Sequence, residues 1–264
     1  MAITTLDGLI AASKQSLQFL KTGARTTVAA IWFSLFELAG MPGAGTLAGS
    51  STTAGVVPDN TTTGCPRLTN FAGGATGYLA SVEFSNTVAC RMRLVDCVFK
   101  AGAYAFNASQ ALSSQPSWSA RAPGGSYIGF EIWIEAVTAF TGIPTIAITY
   151  TNQDGTAGRT TGAISLGVAL TLGRLFRMPL QAGDTGVQKI ESVTATIASA
   201  GTFNVLVVRP LWSGRVRSAN DGDVHALEKT LMPIVHDSAA LMLFIAADST
   251  ASGVPELEIT VAAG

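Results

Sequence analysis

The stretch SYIGFEIWIEAV, residues 126–137, decides the fold class. Ile128, Phe130, Ile132 and Ile134 recur at every second position, and Glu131, Trp133 and Glu135 fill the places between. A period of two puts one set on each side of a pleated strand. A helix would need apolar residues three and four apart, and this stretch does not supply them. The reading is a β-strand with Ile128, Phe130, Ile132 and Ile134 facing one way and Glu131, Trp133 and Glu135 the other.

The same texture continues on both sides. Upstream, GYLASVEFS (77–85) and CRMRLVDCVF (90–99) alternate, with Arg91 and Arg93 on one face. Downstream, IPTIAITYT (143–151) runs into a turn at Asn152–Gly155, where Asp154 and Gly155 tolerate the positive φ of a tight reversal. Further candidate strands lie at 158–165, 173–181, 189–198, 202–210, 239–247 and 255–262. Such a series of short strands, punctuated by turns, predicts an all-β sandwich, jelly-roll-like with two sheets, ahead of an immunoglobulin-like one. Helical periodicity is confined to residues 5–21, where Leu6, Leu9, Ile10, Leu17 and Leu20 form a stripe that Thr4, Thr5 or Asp7 can cap, and to 223–232. Residues 26–38 are apolar without a period. Residues 40–66 are dominated by Gly, Pro, Ser and Thr and read as a long ordered loop or extended arm. The expected organisation is an N-terminal helix and small-residue arm over 1–66, followed by a β-sandwich body over 67–264.

Composition narrows the function. Of 264 residues, 48% are apolar and only 12% charged, against about 25% charged in an ordinary soluble protein. A surface so thinly charged is either rich in small polar residues or covered by other subunits. Net charge is −1 and no basic stripe interleaved with aromatics appears, so no nucleic-acid partner is expected. No run reaches the roughly 18 apolar residues of a membrane helix, and no secretory leader is evident; a protein made in the cytoplasm, without a membrane partner, is expected. Cys65, Cys90 and Cys97 lack zinc or disulfide spacing and read as buried thiols, with Cys90 and Cys97 on opposite faces of one strand.

Each motif with catalytic overtones has a simpler reading. Asp184-Thr185-Gly186 matches the aspartic-protease tripeptide, yet it follows Gln181-Ala182-Gly183 and not an apolar strand, and it is a good turn sequence. Gly43-Ala44-Gly45-Thr46-Leu47-Ala48 fits the dinucleotide fingerprint, but Pro42 precedes it and coil follows. His225 and His236 stand eleven apart, each close to an aspartate (Asp223, Asp237), and are expected to be hydrogen-bonded or exposed. Asn220-Asp221-Gly222-Asp223 has the oxygen density of a calcium loop without its spacing and reads as a polar turn. Glu131 and Glu135 line one strand face, where catalytic carboxylates would oppose each other across a cleft; solvated or interface side chains are expected. No catalytic, cofactor-binding or metal-binding residue is assigned, no cofactor is implied, and an enzyme is not expected.

Five stretches resemble a recurrent type of tailed-bacteriophage structural protein: SLFELAGMPGAGTLAG (34–49), RLVDCVFKAGAY (93–104), ITYTNQDGTAGRTT (148–161), MPLQAGDTGVQKIESVT (178–194) and FNVLVVRPL (203–211). The resemblance implies a virion component, a capsid-decorating (cement) protein or a related head or tail subunit. It also implies a homo-oligomer, a trimer being common among such subunits, with the major capsid protein or other virion subunits as partners. The rival reading is a receptor- or carbohydrate-binding module of a tail appendage, with Trp118, Trp133, Tyr104 and Tyr127 as stacking platforms.

Overall fold

A computed structural model describes residues 3–46, 50–107, 109–140, 142–166, 171–196 and 200–264. The expected all-β sandwich with a short N-terminal helix is borne out, and it is built on three antiparallel sheets in place of the expected two. The central sheet has the order β11-β7-β13-β5-β16-β2. Its strands are β2 (Phe33–Ser34), β5 (Cys90–Ala105), β7 (Glu131–Thr138), β11 (Leu175–Met178), β13 (Thr202–Val216) and β16 (Leu241–Ala247). A first flanking sheet, β14-β4-β17-β1-β3, joins β1 (Ser13–Lys21), β3 (Gly40–Met41), β4 (Gly77–Asn86), β14 (Asp221–Ala226) and β17 (Glu256–Ala263), with β15 (Ile234–Val235) added to β4. A second, β10-β8-β12-β6, joins β6 (Ser109–Ala111), β8 (Thr145–Asn152), β10 (Ile164–Ser165) and β12 (Val187–Thr196), with β9 (Arg159–Thr160) on β8.

Two long strands hold the halves together. β5 and β13, of 16 and 15 residues, pair along their whole length. β16 covers only Cys90–Asp96 of β5, and β7 covers only Thr202–Val208 of β13, so the central sheet is offset. One end packs on the first flanking sheet through Cys90, Met92, Leu94, Trp212 and Val216. The other packs on the second through Phe99, Ala101, Phe203, Val205 and Val207. A bulge at Val98, where the register steps from Val208↔Cys97 to Val207↔Phe99, switches the inward set of β5 from even to odd numbers. The same sheet face therefore meets both flanking sheets. Val95, Cys97, Leu206 and Val208 point the other way and form a third core with Trp32, Phe36 and Cys65.

The described residues of the segment 40–66, 40–46 and 50–66, lie on their own subunit. Val56 bridges Lys100, Lys100 Nζ donates to the Thr46 carbonyl at 2.8 Å, and Tyr104 Oη donates to the Thr52 carbonyl at 2.9 Å. Gly55 (φ +68°) needs to lack a side chain, because a Cβ there would enter the Phe99 ring. Among the described residues of this segment these contacts hold the chain against the body.

Two helical expectations are corrected. Of residues 5–21, only Leu6–Ala11 is helical (α1), capped by Thr5, whose Oγ1 accepts from the Gly8 amide at 3.1 Å. Residues 13–21 are a strand: β17 and β3 hydrogen-bond to its two edges, and Leu17, Phe19 and Lys21 turn inward with period two. Residues 221–226 likewise pair with β4 as an edge strand, and Leu227, Leu231 and Met232 beyond it take left-handed backbone in place of a helix. Of the expected strand 189–198, residues 197 and 198 lie outside the described residues, as do Leu47 and Ala48 of the glycine motif.

Candidate functional site

The two cores meet at a buried charge cluster. Asp96, wholly buried on β5, accepts from Arg121 Nε at 3.2 Å and from Arg121 Nη2, and it accepts from the Ala240 amide at 3.0 Å. Arg121 also donates to the carbonyls of Pro58 and Cys97, the latter at 2.7 Å. Arg209 lies 3.8 Å from Asp96 and donates to the Ile234 carbonyl at 2.7 Å. Burial lowers the Arg209 pKa, Asp96 opposing this and Arg121 adding to it. The cluster thus ties Pro58, the loop around Arg121, the residue before β16 and, through Arg209, β15 to one carboxylate on β5. Removing one partner of such a group leaves a stranded charge, which is why buried pairs are costly to break.

A second polar lock contains Asp184. It accepts from Tyr150 Oη (2.7 Å), Asn152 Nδ2 (2.8 Å) and Arg159 Nε (2.9 Å), and its amide closes a turn on the Gln181 carbonyl. The Arg159 hydrogen bond, with help from Asn152 and Tyr150, holds the carboxyl down at about 2 against the opposing effect of burial. Asp184 is an ionised turn anchor whose partners are a phenol, an amide and a guanidinium. The shared-proton chemistry of paired aspartates needs a second carboxylate in that position.

Glu131 and Glu135 are not solvated, contrary to expectation. Residues 32–36 cover that face of β7 and bury both. Glu131 accepts from Arg93 (3.2 Å), Arg177 (3.0 Å) and Trp133 Nε1 (2.8 Å). Glu135 accepts from Asn204 Nδ2 at 3.0 Å, and burial pushes its pKa up. Arg91 and Arg93 share a face as read from the sequence, both over Trp32. Lys21 is buried as well, donating to the carbonyls of Leu38 (3.1 Å) and Pro42 (2.8 Å), and burial lowers its pKa to about 8. The three cysteines are free and buried, Cys90 in one core and Cys97 in another. Burial raises each thiol pKa, that of Cys97 to about 12.

His225 Nδ1 accepts from Trp212 Nε1 at 3.0 Å while Nε2 lies 3.3 Å from Asp223; His236 Nδ1 lies 3.0 Å from Asp237. Among the described residues no three His, Cys, Asp or Glu side chains converge as a metal site would require. Gly45 donates to the Phe36 carbonyl at 2.8 Å and packs beneath that ring. Trp118, Trp133 and Tyr104 are buried and Tyr127 packs partly on the core, which leaves them poorly placed to stack on a sugar. The apolar groups left outside fall elsewhere. Leu6 and Ile10 of α1 are 62% and 66% exposed, none of α1 is buried, and Leu231 is 83% exposed beyond β14.

No family model and no curated protein matches this chain. Among solved structures it aligns with a mutant VP2 protein of infectious bursal disease virus in derived T=1 particles, at 9% identity over 96% of this chain and 77% of that one, with a TM-score of 0.18. It also aligns with infectious bursal disease virus, Gx strain, at 11% identity over 96% of this chain and 80% of that one, with a TM-score of 0.14. At those scores the alignments assign neither fold nor function.

Proposed function

We propose that the chain is a non-catalytic virion structural protein that decorates or cements a phage capsid through contacts between subunits. The observation that carries this reading is apolar surface placed on elements that add nothing to the subunit's own core. α1 buries no residue yet presents Leu6 and Ile10. Beyond β14, Leu227, Leu231 and Met232 hold left-handed backbone, a conformation costing about 1–2 kcal/mol per residue, at an exposed apolar loop. Both features are unfavourable for an isolated subunit and gain a use where another subunit covers them. The sparse charge suits large permanent contacts, and two strands running through both halves suit a body that must not deform. The resemblance to tailed-bacteriophage structural proteins supplies the kind of assembly, with the major capsid protein as partner and the virion as location.

Mass spectrometry of washed phage particles tests this. The chain should be present in many copies, and a form lacking residues 3–11 should fold but be lost from the particles. Its absence from washed particles would count against the proposal.

A further inference from the structure

Three polar side chains are buried side by side in the central sheet, where apolar ones would pack at less cost. Lys100 on β5, Asn204 on β13 and Glu135 on β7 are 6%, 0% and 2% exposed. Their strand neighbours Phe99, Ala101, Phe203, Val205, Ile134 and Ala136 turn to the core shared with the second flanking sheet, so these three turn to the other face. Glu135 stands directly opposite Asn204 in the β7–β13 ladder and accepts from its Nδ2 at 3.0 Å. Lys100 stands opposite Leu206, two residues along β13 from Asn204, a diagonal that a long side chain can span. Gly102, two residues beyond Lys100, brings β5 against Asn204: a Cβ there would run into the carboxamide. Lys100 Nζ rests on the Thr46 carbonyl at 2.8 Å and over the Phe36 ring. The other charged group acting on Glu135 is Arg25, which is engaged with Glu37 and the Leu172 carbonyl.

We propose that Lys100 and Asn204 are the two ends of an isopeptide bond that the chain forms within itself, with Glu135 as the proton carrier. An amine and a carboxamide do not condense readily in water, because the amine is an ammonium there. Burial changes this. Passing one proton from the Lys100 ammonium to Glu135 leaves an amine and an acid, both neutral, where two ions would be costly. Burial already favours the acid form of Glu135, with Lys100 opposing. The Nζ lone pair attacks Asn204 Cγ, and the Nζ–Cγ bond forms. Glu135 relays a proton from Nζ to Nδ2, the Cγ–Nδ2 bond breaks, and Nδ2 leaves as ammonia. Glu135 keeps the proton it took from the ammonium. The step needs no oxidant and no second substrate. It runs once per chain on the chain's own side chains, which is compatible with a non-catalytic structural role. The product joins β5 covalently to β13, the two strands that run through both halves.

Mass spectrometry of the full chain, purified and incubated at pH 7 before unfolding, tests this. The wild-type chain should be lighter than its sequence by one ammonia. Its tryptic digest should contain a branched peptide joining Lys100 to Asn204, with no cleavage after Lys100. Glu135→Gln should fold with an unchanged circular dichroism spectrum, keep its full mass and give no branched peptide. Lys100→Arg keeps the charge and should likewise keep the full mass. If either variant fails to fold, the wild-type mass and digest still decide. A wild-type chain at its full sequence mass overturns the proposal. So does a chain light by one ammonia without the branched peptide, since an asparagine that cyclises on its own backbone loses ammonia too. A branched peptide that persists in folded Glu135→Gln overturns the role given to Glu135.

Discussion

Replacing Asp96 with Asn keeps the volume of the side chain and removes the carboxylate that, among the described residues, forms ion pairs with both Arg121 and Arg209. The carboxylate is fully buried, accepts from Arg121 Nε at 3.2 Å and from the Ala240 amide at 3.0 Å, and lies 3.8 Å from Arg209. The variant leaves two buried guanidiniums without their ion-pair partner, for which the expected cost is about 3–5 kcal/mol. Domains have only about 5–15 kcal/mol in hand. At roughly 2–4 °C per kcal/mol, the melting temperature should fall by roughly 6–20 °C. A triple variant, Asp96→Leu with Arg121→Met and Arg209→Met, removes the charges together and should recover most of that loss, since a buried ion cluster is costly to break but not to replace. Urea unfolding followed by tryptophan fluorescence gives both numbers. A single variant within about 1 kcal/mol of wild type, or a triple variant less stable than the single, would refute the assignment of this cluster as the pin between the two cores.

Other outcomes follow from the same contacts. Asp184 titrates at about 2 when folded and near 4 when unfolded, so its contribution is complete above about pH 4 and is lost as the pH falls through 2. The urea midpoint should therefore drop over that range more steeply for the wild type than for Asp184→Asn. Lys21 works in the opposite direction. Its folded pKa of about 8 lies below the ordinary lysine value, so the cost of burying its charge is relieved as pH rises from about 8 to 10. Stability relative to Lys21→Met should rise across that interval; a flat difference would contradict the burial of Lys21. The three thiols should resist an aromatic disulfide reagent at pH 8 and all react after denaturation. Residues 50–66 should survive limited proteolysis in the isolated subunit, because Tyr104, the backbone of Lys100 and Arg121 tie that region to the body at Thr52, Val56 and Pro58.

The strands were legible where period two coincides with a buried face. Residues 77–86, 90–105, 145–152 and 256–263 are strands close to where alternation placed them. The segment 13–21 was misread because Leu6, Leu9, Ile10, Leu17 and Leu20 approximate a helical stripe. Leu17, Phe19 and Lys21 carried the competing period, and a buried lysine hides it from any hydropathy pattern. Hydrogen bonding to β17 and β3 then outweighs local helix preference. Glu131 and Glu135 were placed on the correct face of β7, but nothing local shows that residues 32–36 cover it. The junction was the least legible part, since residues 96, 121 and 209 meet only through the pairing of β5 with β13 and the placement of the loop around Arg121. The nearest signal was a charged residue within the apolar alternation of two strands, Asp96 in one and Arg209 in the other.

The molar mass of the purified chain, measured by light scattering across a range of concentrations, tests the proposed role in assembly most directly. A subunit built to be covered at α1 and beyond β14 should appear as a stable multiple of 27.1 kDa, and Leu6→Asp with Ile10→Asp should shift it toward one copy. A mass of one copy at every concentration, unchanged by those substitutions, would contradict it.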